Sequence, residues 1–115
     1  MTKWILLLAF SAAAFAANVS GKWSMAVETD MGSGTPTFVF KQDGESLTGT
    51  YAGALGEAKV TGTVKGDTIQ FQFEVSPGGD KILAKYSGKL DGSTKMKGEI
   101  DFSGMAKGKF TGEKQ

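Results

Sequence analysis

The sequence contains no cysteine and no histidine. It also contains no arginine, because all 13 of its basic residues are lysines. Without cysteine and histidine, the chain cannot form a disulfide, a Cys/His zinc site or a histidine-activated nucleophile. Histidine is also the usual general base near neutral pH, and arginine is the usual bidentate partner of phosphate groups. We therefore expect a protein that is not an enzyme, with no catalytic residues, no cofactor and no metal site.

Long hydrophobic runs are also scarce, and the one clear run lies at the N-terminus. The segment from Trp4 to Phe15 follows Lys3 and ends at Ala14-Phe15-Ala16, which has the small-x-small pattern of a signal peptidase site. The run is too short to span a bilayer comfortably. Residues 1–17 are thus predicted to be a signal peptide and residues 18–115 a single secreted or periplasmic domain. A buried N-terminal helix and a short membrane anchor are the alternatives.

From Gly21 onward, apolar and polar residues alternate with a period of two. Eight segments show this pattern, as in Trp23, Met25 and Val27 of the first one. A strand with one buried face and one wet face is typical of an antiparallel sheet. The residues expected to face inward are Trp23, Met25, Val27, Phe38, Phe40, Leu47, Tyr51, Val60, Val64, Ile69, Phe71, Phe73, Val75, Ile82, Tyr86, Leu90, Met96, Ile100, Phe102 and Phe110.

The connections between these segments are short and contain turn residues, such as Asp43-Gly44 and Asp91-Gly92. None of them is long enough for a helical crossover, so sequential hairpins would form a meander. Closing the sheet on itself removes its exposed edges. The sequence therefore predicts an all-β fold, an eight-stranded antiparallel up-and-down barrel. A small β-sandwich is the alternative.

The pattern apolar-x-Gly-x-apolar occurs five times in these strands, and in each case the glycine has inward parity. Glycine weakens a strand, so its presence there needs a reason. One interpretation is geometric, because a small barrel must coil its strands and accommodate large inward side chains. The other is that the glycines line a ligand cavity. The five residues are Gly49, Gly62, Gly88, Gly98 and Gly108.

Gly21-Lys22-Trp23 resembles the G-x-W signature of the calycin superfamily, which includes lipocalins, fatty-acid-binding proteins and avidins. The resemblance implies a barrel in which Trp23 is a structural residue that plugs one end. Lipocalins stack a late-strand arginine on this tryptophan, and the lysines available for that position here are Lys107 and Lys109. In lipocalins the first loop also covers the open end, which would give this role to residues 30–36.

A closer resemblance is to small secreted bacterial barrel domains to which no activity is assigned. They contain G-K-W, D-G-x-x-L-x-G-T and V-x-G-D-x-I-x-F segments. Here these segments begin at Gly21, Asp43 and Val64. This resemblance supports the barrel and carries no function with it.

Tyr51 and Tyr86 are the only titratable side chains with inward parity. In a barrel that binds a ligand, a tyrosine hydroxyl would fix the orientation of the ligand and apolar side chains would bury it. The candidate ligand-binding residues are Tyr51, Tyr86, Phe71, Phe73, Phe38 and, from the first loop, Met31.

Charge is unevenly distributed along the predicted domain. Residues 18–80 contain 4 lysines and 8 acids, whereas residues 81–115 contain 8 lysines and 4 acids. Lysines on the last three strands, strands six to eight of the predicted barrel, could form a basic face for an anionic partner. They could equally be a solvated face that prevents edge pairing. Nucleic acid is not expected as a partner, because arginine is absent and aromatic residues are missing from the outer face.

Two functions fit these observations best, and a minor enzyme that uses two nearby carboxylates at the rim of the barrel is a third possibility. The first is a monomeric secreted or periplasmic barrel that binds an apolar or amphipathic small molecule. The second is a protein-binding module, such as a periplasmic inhibitor of a hydrolase. A cavity inside the barrel would favour the first function, and a filled interior with an apolar loop tip would favour the second.

Overall fold

The computed structural model describes residues 18–30, 32–76, 78–104 and 106–115. The predicted signal peptide, residues 1–17, lies outside them. The strands are β1 (Gly21–Thr29), β2 (Gly32–Gly34), β3 (Thr37–Asp43), β4 (Ser46–Gly53), β5 (Gly56–Lys65), β6 (Thr68–Val75), β7 (Ile82–Asp91), β8 (Lys95–Phe102) and β9 (Ala106–Lys114). Within the described part of the chain, no helix has the length and apolar character needed to cross a membrane.

The sheet is an antiparallel meander that closes on itself. Each of the strands from β3 to β8 pairs with the next one, and β1 pairs with β3 on one side and β9 on the other. The closing register runs from Trp23 opposite Lys114 to Thr29 opposite Gly108. The predicted eight-stranded barrel is therefore confirmed, and the sandwich alternative is wrong because the sheet has no break between two layers.

A ninth, short strand corrects the expectation for the first loop. β2 pairs with the end of β1, with Gly34 opposite Val27. The strand is interrupted at Pro36, whose carbonyl oxygen accepts the N–H of Met25 at 3.0 Å. β3 then continues on the same edge of β1, with Thr37 opposite Ser24. Most of the segment expected to cover the barrel is thus part of its wall, because β1 is longer than β3 and needs a second partner.

The barrel interior is a single apolar core. Each residue predicted to face inward is buried except Ile82, which is half-buried where β7 begins. Ala84, Ala106 and Val19 also belong to the core, and Val19 precedes the first strand. Among the described residues, no charged side chain is buried. The alternation of the sequence therefore predicted the core, because a closed barrel gives every strand the same two environments.

The five mid-strand glycines lie where neighbouring strands approach most closely. A Cβ at Gly62 would overlap the carbonyl oxygen of Gln70, and one at Gly98 would overlap that of Ser87. Large rings lie directly across from both positions: Phe71 opposite Gly62 and Phe110 opposite Gly98. The geometric interpretation accounts for these glycines, with the main chain of the adjacent strand as the principal obstacle.

Alternate connections of the meander lie at opposite ends of the barrel. We call the end where β1 starts the lower end; it carries the β3–β4, β5–β6 and β7–β8 turns. The end where β1 finishes is the upper end, which carries the β4–β5, β6–β7 and β8–β9 connections. The candidate site depends on how differently these two ends are closed.

Candidate ligand-binding site

The lower end is closed by the residues that precede β1. The indole N–H of Trp23 donates to the carbonyl oxygen of Val19 at 2.8 Å, and neither residue is exposed to solvent. Val19 in turn donates its N–H to the side-chain oxygen of Gln42 at 2.9 Å. The N–H of Gln42 donates to the hydroxyl of Ser20 at 2.9 Å. Residues 18–20 therefore form a hydrogen-bonded cap beneath Trp23.

A lysine lies beside this tryptophan, but it is neither of the two predicted. Lys114 is opposite Trp23 in the β1–β9 register, and its ammonium group donates to the carbonyl oxygen of Asn18 at 3.4 Å. Lys107 and Lys109 lie opposite Asp101 and Glu99 in β8, nearer the upper end. The expectation was wrong because β9 runs downward, so that only its last residues reach the lower end.

Five of the six predicted ligand-binding residues meet inside the barrel, and we call them the aromatic cluster. Tyr51 stacks on Phe73 with ring centroids 4.1 Å apart, and Phe71 stacks on Tyr86 at 4.8 Å. Phe38 packs its ring against the other four at centroid distances of 5.2 to 5.8 Å. Their edge-to-face and offset arrangements are those that aromatic quadrupoles favour.

The aromatic cluster fills the space that it surrounds. Its members are between 0% and 4% exposed, so the interior is packed at this level and is not a preformed cavity. Met31, the sixth predicted residue, lies outside the described residues. Its neighbours Asp30 and Gly32 are at the upper end, where the chain passes from β1 to β2.

The hydroxyl of Tyr51 is held at the upper end. It accepts the N–H of Leu55, in the β4–β5 turn, at 3.4 Å. Burial raises the pKa of Tyr51, and the Leu55 hydrogen bond partly opposes this rise by stabilising the phenolate. Tyr51 therefore stays a neutral hydroxyl at physiological pH.

The hydroxyl of Tyr86 has no hydrogen-bond partner within the described residues, although the side chain is only 2% exposed. Burial raises the pKa of Tyr86 strongly, and a negative charge on Tyr51 would raise it further. A buried hydroxyl without a partner costs about 1–3 kcal/mol. Tyr86 is therefore the polar atom of this interior that a ligand could satisfy.

The described residues of the upper end include apolar side chains that are only partly covered. Three half-buried apolar residues pack against the core, namely Leu55, Ala58 and Ile82, and all three lie at this end. The inward residues beside them are small: Ala84 is opposite Phe73, and Ala58 is opposite Tyr51. Among the described residues, Leu55 of the β4–β5 turn and these small side chains lie at the upper end together with the larger, buried Val75 and Phe102.

The residues that distinguish the two ends are not marked by the alternating pattern of the sequence. Val19 precedes that pattern, and Gln42 has outward parity next to a turn. Leu55 is an apolar residue inside a glycine-flanked turn, which is a signal that could have been found. All three act through long-range contacts that periodicity does not encode.

The outer face of the last three strands is not uniformly basic. Cross-strand pairing places Lys85 and Lys107 beside Asp101, Lys109 beside Glu99, and Lys95 beside Asp91 and Glu113. The exception is Lys89, which lies directly opposite Lys97 near the lower end. Lys89 contacts Asp67 at 3.5 Å and Thr68 at 3.1 Å. A groove of about 600 Å³ on this outer face is lined by Lys89, Lys95 and Lys97 and also by Asp91 and Glu113.

No group of three or more acidic residues suited to a metal ion occurs in the described part of the chain. The acids of the barrel lie on its outer face or in its turns, and Tyr51 and Tyr86 are the titratable groups inside it. The interior therefore offers rings and hydroxyl groups to a ligand, and it offers no charge.

Solved structures of other small barrels resemble this one, among them the following three. A redesigned β-barrel, b11L5F_LGL, has a TM-score of 0.71 and 19% identity, covering 90% of this chain and 95% of its own. The redesigned barrel mFAP1, bound to DFHBI, has a TM-score of 0.62 and 19% identity, covering 90% and 98%. EF1p2_mFAP2b, also bound to DFHBI, has a TM-score of 0.62 and 17% identity, covering 84% and 94%.

At these identities the likeness shows a shared fold, a small closed antiparallel barrel. No family model matches the chain, and neither does any curated protein. The calycin resemblance therefore continues to depend on residues 21–23 and on the barrel itself.

Proposed function

We propose that this protein is an exported, monomeric β-barrel that binds a small apolar or amphipathic molecule at its upper end, without catalysis. The observation that carries the proposal is the hydroxyl of Tyr86, a buried member of the aromatic cluster, which has no partner among the described residues. A bound molecule with a hydrogen-bonding group would give the Tyr86 hydroxyl a partner and so remove the free-energy cost of leaving it unpaired. The molecule would also bury apolar surface against the rings.

The asymmetry of the barrel supports the upper end as the route of entry. At the lower end, the indole of Trp23 and the amide of Val19 have partners, and both side chains are fully buried. At the upper end, the half-buried Leu55 and Ile82 cover the rings. Ligand entry would require these two side chains to move, which costs less than breaking the cap of residues 18–20.

Two of the structural neighbours are barrels of similar size bound to DFHBI. They support the proposal because a barrel of about this length can hold a small molecule. DFHBI is therefore a suitable first probe for this chain.

Isothermal titration calorimetry with DFHBI, together with native mass spectrometry of the protein from its source, tests the proposal. We expect measurable binding of DFHBI or a co-purified small-molecule mass. Tyr86→Phe removes only the hydroxyl and should weaken binding, while Lys41→Gln, on the outer face of β3, should leave it unchanged. Absence of both binding and co-purified mass would contradict the proposal.

A protein-binding module, such as a periplasmic hydrolase inhibitor, is the second candidate function. The packed interior favours it, because a solid barrel would act through its surface. The one exposed large apolar side chain in the described residues is Val39, which is 46% exposed on the outer face of β3 and not at a turn tip. A stoichiometric protein mass in the native spectrum, with no small molecule, would favour this function.

Export is part of the proposal and has its own test. Cleavage after residue 16 or 17 would leave the cap of residues 18–20 at the new N-terminus. The intact mass of the exported protein should then correspond to a chain that begins at residue 17 or 18. A full-length mass in the exported fraction would contradict export by cleavage.

An anionic partner on the last three strands stays a prediction, and the register narrows its location. Most lysines there face or contact an acid, whereas Lys97 lies opposite Lys89 and Thr111 and has no acid in its cross-strand register. Lys97→Gln should weaken retention on an anionic resin if this prediction is correct.

A further inference from the structure

The interior restricts the shape of what the barrel can hold. Below the aromatic cluster, the lower half is filled by Trp23, Leu47, Ile69 and Met96, which are between 0% and 2% exposed. A long acyl chain needs a channel along the barrel axis, and these side chains occupy it. A molecule that enters from the upper end can therefore penetrate only about as far as the aromatic cluster.

The walls at that depth are rings in two stacked pairs. The planes of Tyr51 and Phe73 are 15° apart, and those of Phe71 and Tyr86 are 25° apart. A planar aromatic molecule can extend such stacks or replace one contact within them with little loss of dispersion energy. A flexible aliphatic chain would lose conformational entropy on entry and would match the flat ring faces less closely.

One polar group is placed to meet such a molecule. The Tyr86 hydroxyl is buried and unpaired within the described residues, whereas the hydroxyl of Tyr51 already accepts from Leu55. Tyr86 stays protonated, because burial disfavours its phenolate, and it can donate to an oxygen of the ligand. A hydroxyl or carbonyl on the ring system would fit this donor.

We propose that the ligand is a compact planar aromatic molecule carrying a hydroxyl or carbonyl oxygen, which accepts a hydrogen bond from Tyr86 within the aromatic cluster. This inference rests on the proposed function and narrows it from apolar molecules in general to one shape and one polar contact. It also assigns different roles to the two tyrosines: Tyr86 contacts the ligand, and Tyr51 holds the β4–β5 turn over it.

Three probes of matched carbon number test this inference: 2-naphthol, naphthalene and 1-decanol. Each is titrated into isotopically labelled protein, and amide shifts give both the dissociation constant and the location. We expect 2-naphthol to bind about tenfold more tightly than naphthalene, and 1-decanol to bind at least tenfold more weakly than 2-naphthol. Shifts should centre on Leu55 and Ile82 and should spare the Trp23 indole.

The Tyr86→Phe variant separates the polar contact from the shape of the site. In this variant, 2-naphthol should bind no more tightly than naphthalene, while naphthalene binding is unchanged. Urea unfolding of the same variant shows whether it is folded. If it is not, Tyr86→Met is measured in its place, with the same loss of discrimination expected.

The outcomes distinguish this inference from the function on which it rests. Equal affinity for 2-naphthol and naphthalene in the unmodified protein would overturn the Tyr86 contact. Preference for 1-decanol would overturn the planar ligand, and small-molecule binding would still stand. Failure of all three probes to bind would overturn the inference together with the proposed site.

Discussion

The two ends of the barrel are closed by different physical means. At the lower end, a fully buried indole donates to the carbonyl oxygen of Val19, and Gln42 fastens the cap from a neighbouring strand. At the upper end, Leu55 and Ile82 are half-buried, and one hydroxyl inside has no partner in the described residues. The lower end is thus closed by buried hydrogen bonds, whereas the upper end has half-buried side chains that can contact another molecule.

On the proposed function, this difference would let one small core provide both stability and ligand binding. A domain of about 100 residues is stable by only about 5–15 kcal/mol, so it cannot leave its interior poorly packed throughout. The hydrogen-bonded cap beneath Trp23 stabilises the lower end, while the half-buried Leu55 and Ile82 at the upper end would be free to contact a ligand. Stability and binding are then measurable separately, because they depend on different residues.

The largest effect is expected at the lower end. Trp23→Ala removes a fully buried ring and the partner of the Val19 carbonyl, and such a truncation costs about 3–5 kcal/mol. Urea unfolding followed by circular dichroism should show a greatly lowered midpoint or no folded protein. The matched change at the upper end, Leu55→Ala, should cost about 1 kcal/mol because Leu55 is only half-buried.

Trp23 also reports on its own site, because the other tryptophan, Trp4, lies in the predicted signal peptide. In a chain that begins at residue 18, emission should be blue-shifted and little changed by ligand. Emission typical of a water-exposed indole, together with near-normal stability of Trp23→Ala, would contradict the burial of Trp23 at a closed lower end.

The barrel wall should tolerate a methyl group less well than the upper hairpin. A Cβ at Gly62 would overlap the carbonyl oxygen of Gln70, and relieving that contact requires two strands to move apart. We expect Gly62→Ala to destabilise the protein by about 1–3 kcal/mol, as overpacking of a core does. Differential scanning calorimetry would show this as a lowered Tm.

Gly34 in β2 is the matched control for Gly62. It is also a strand glycine, its φ is not positive, and a Cβ there would meet nothing within 4 Å. Gly34→Ala should therefore be neutral or slightly stabilising, since it removes the entropic cost of glycine. Similar losses at both positions would show that close approach of the strands does not explain Gly62.

The fold could be predicted from the sequence because its signal is local and repeated. Each strand alternates, each turn is short, and a barrel exposes no strand edge, so parity alone identified the core residues from Trp23 to Phe110. β2 was missed because Gly-Ser-Gly has no side-chain alternation, and its pairing depends on the extra length of β1.

The candidate site could be predicted only in part. Parity placed Tyr51, Phe73 and Tyr86 inside, and the structure brings them into one cluster. Parity could not show that the interior is packed, or that one hydroxyl has a partner and the other has none. Those properties depend on where Leu55 lies, and a turn residue has no periodic pattern that could reveal it.

The buried tyrosines should make the stability depend on pH above 10. The ordinary pKa of a tyrosine hydroxyl is 10.0, and burial raises the pKa of both groups in the folded state. Between the unfolded and folded values, the unfolded chain loses protons that the folded chain keeps, so the free energy of unfolding falls as pH rises. The fall should be about 1.4 kcal/mol per pH unit for each tyrosine.

Urea unfolding at pH 9 and pH 11 would measure this dependence. In Tyr86→Phe, the free energy of unfolding should fall less between pH 9 and pH 11 than in the unmodified protein. Changing an exposed lysine such as Lys85 should not reduce this fall. Tyrosinate absorbance that appears near pH 10 in the folded protein would contradict the burial of the two hydroxyls.

The smallest effect is expected from removing each tyrosine hydroxyl at neutral pH, and its sign should differ between the two residues. Tyr51→Phe leaves the N–H of Leu55 without its acceptor and should cost about 0.5–1.5 kcal/mol. Tyr86→Phe removes a buried hydroxyl that has no partner in the described residues, so it should be neutral or stabilising by up to about 1 kcal/mol. Paired urea titrations of the ligand-free variants would measure both values. Equal losses for the two variants would show that Tyr86 already has a hydrogen-bond partner. The buried hydroxyls would then be hydrogen-bonded, as the indole of Trp23 is at the lower end.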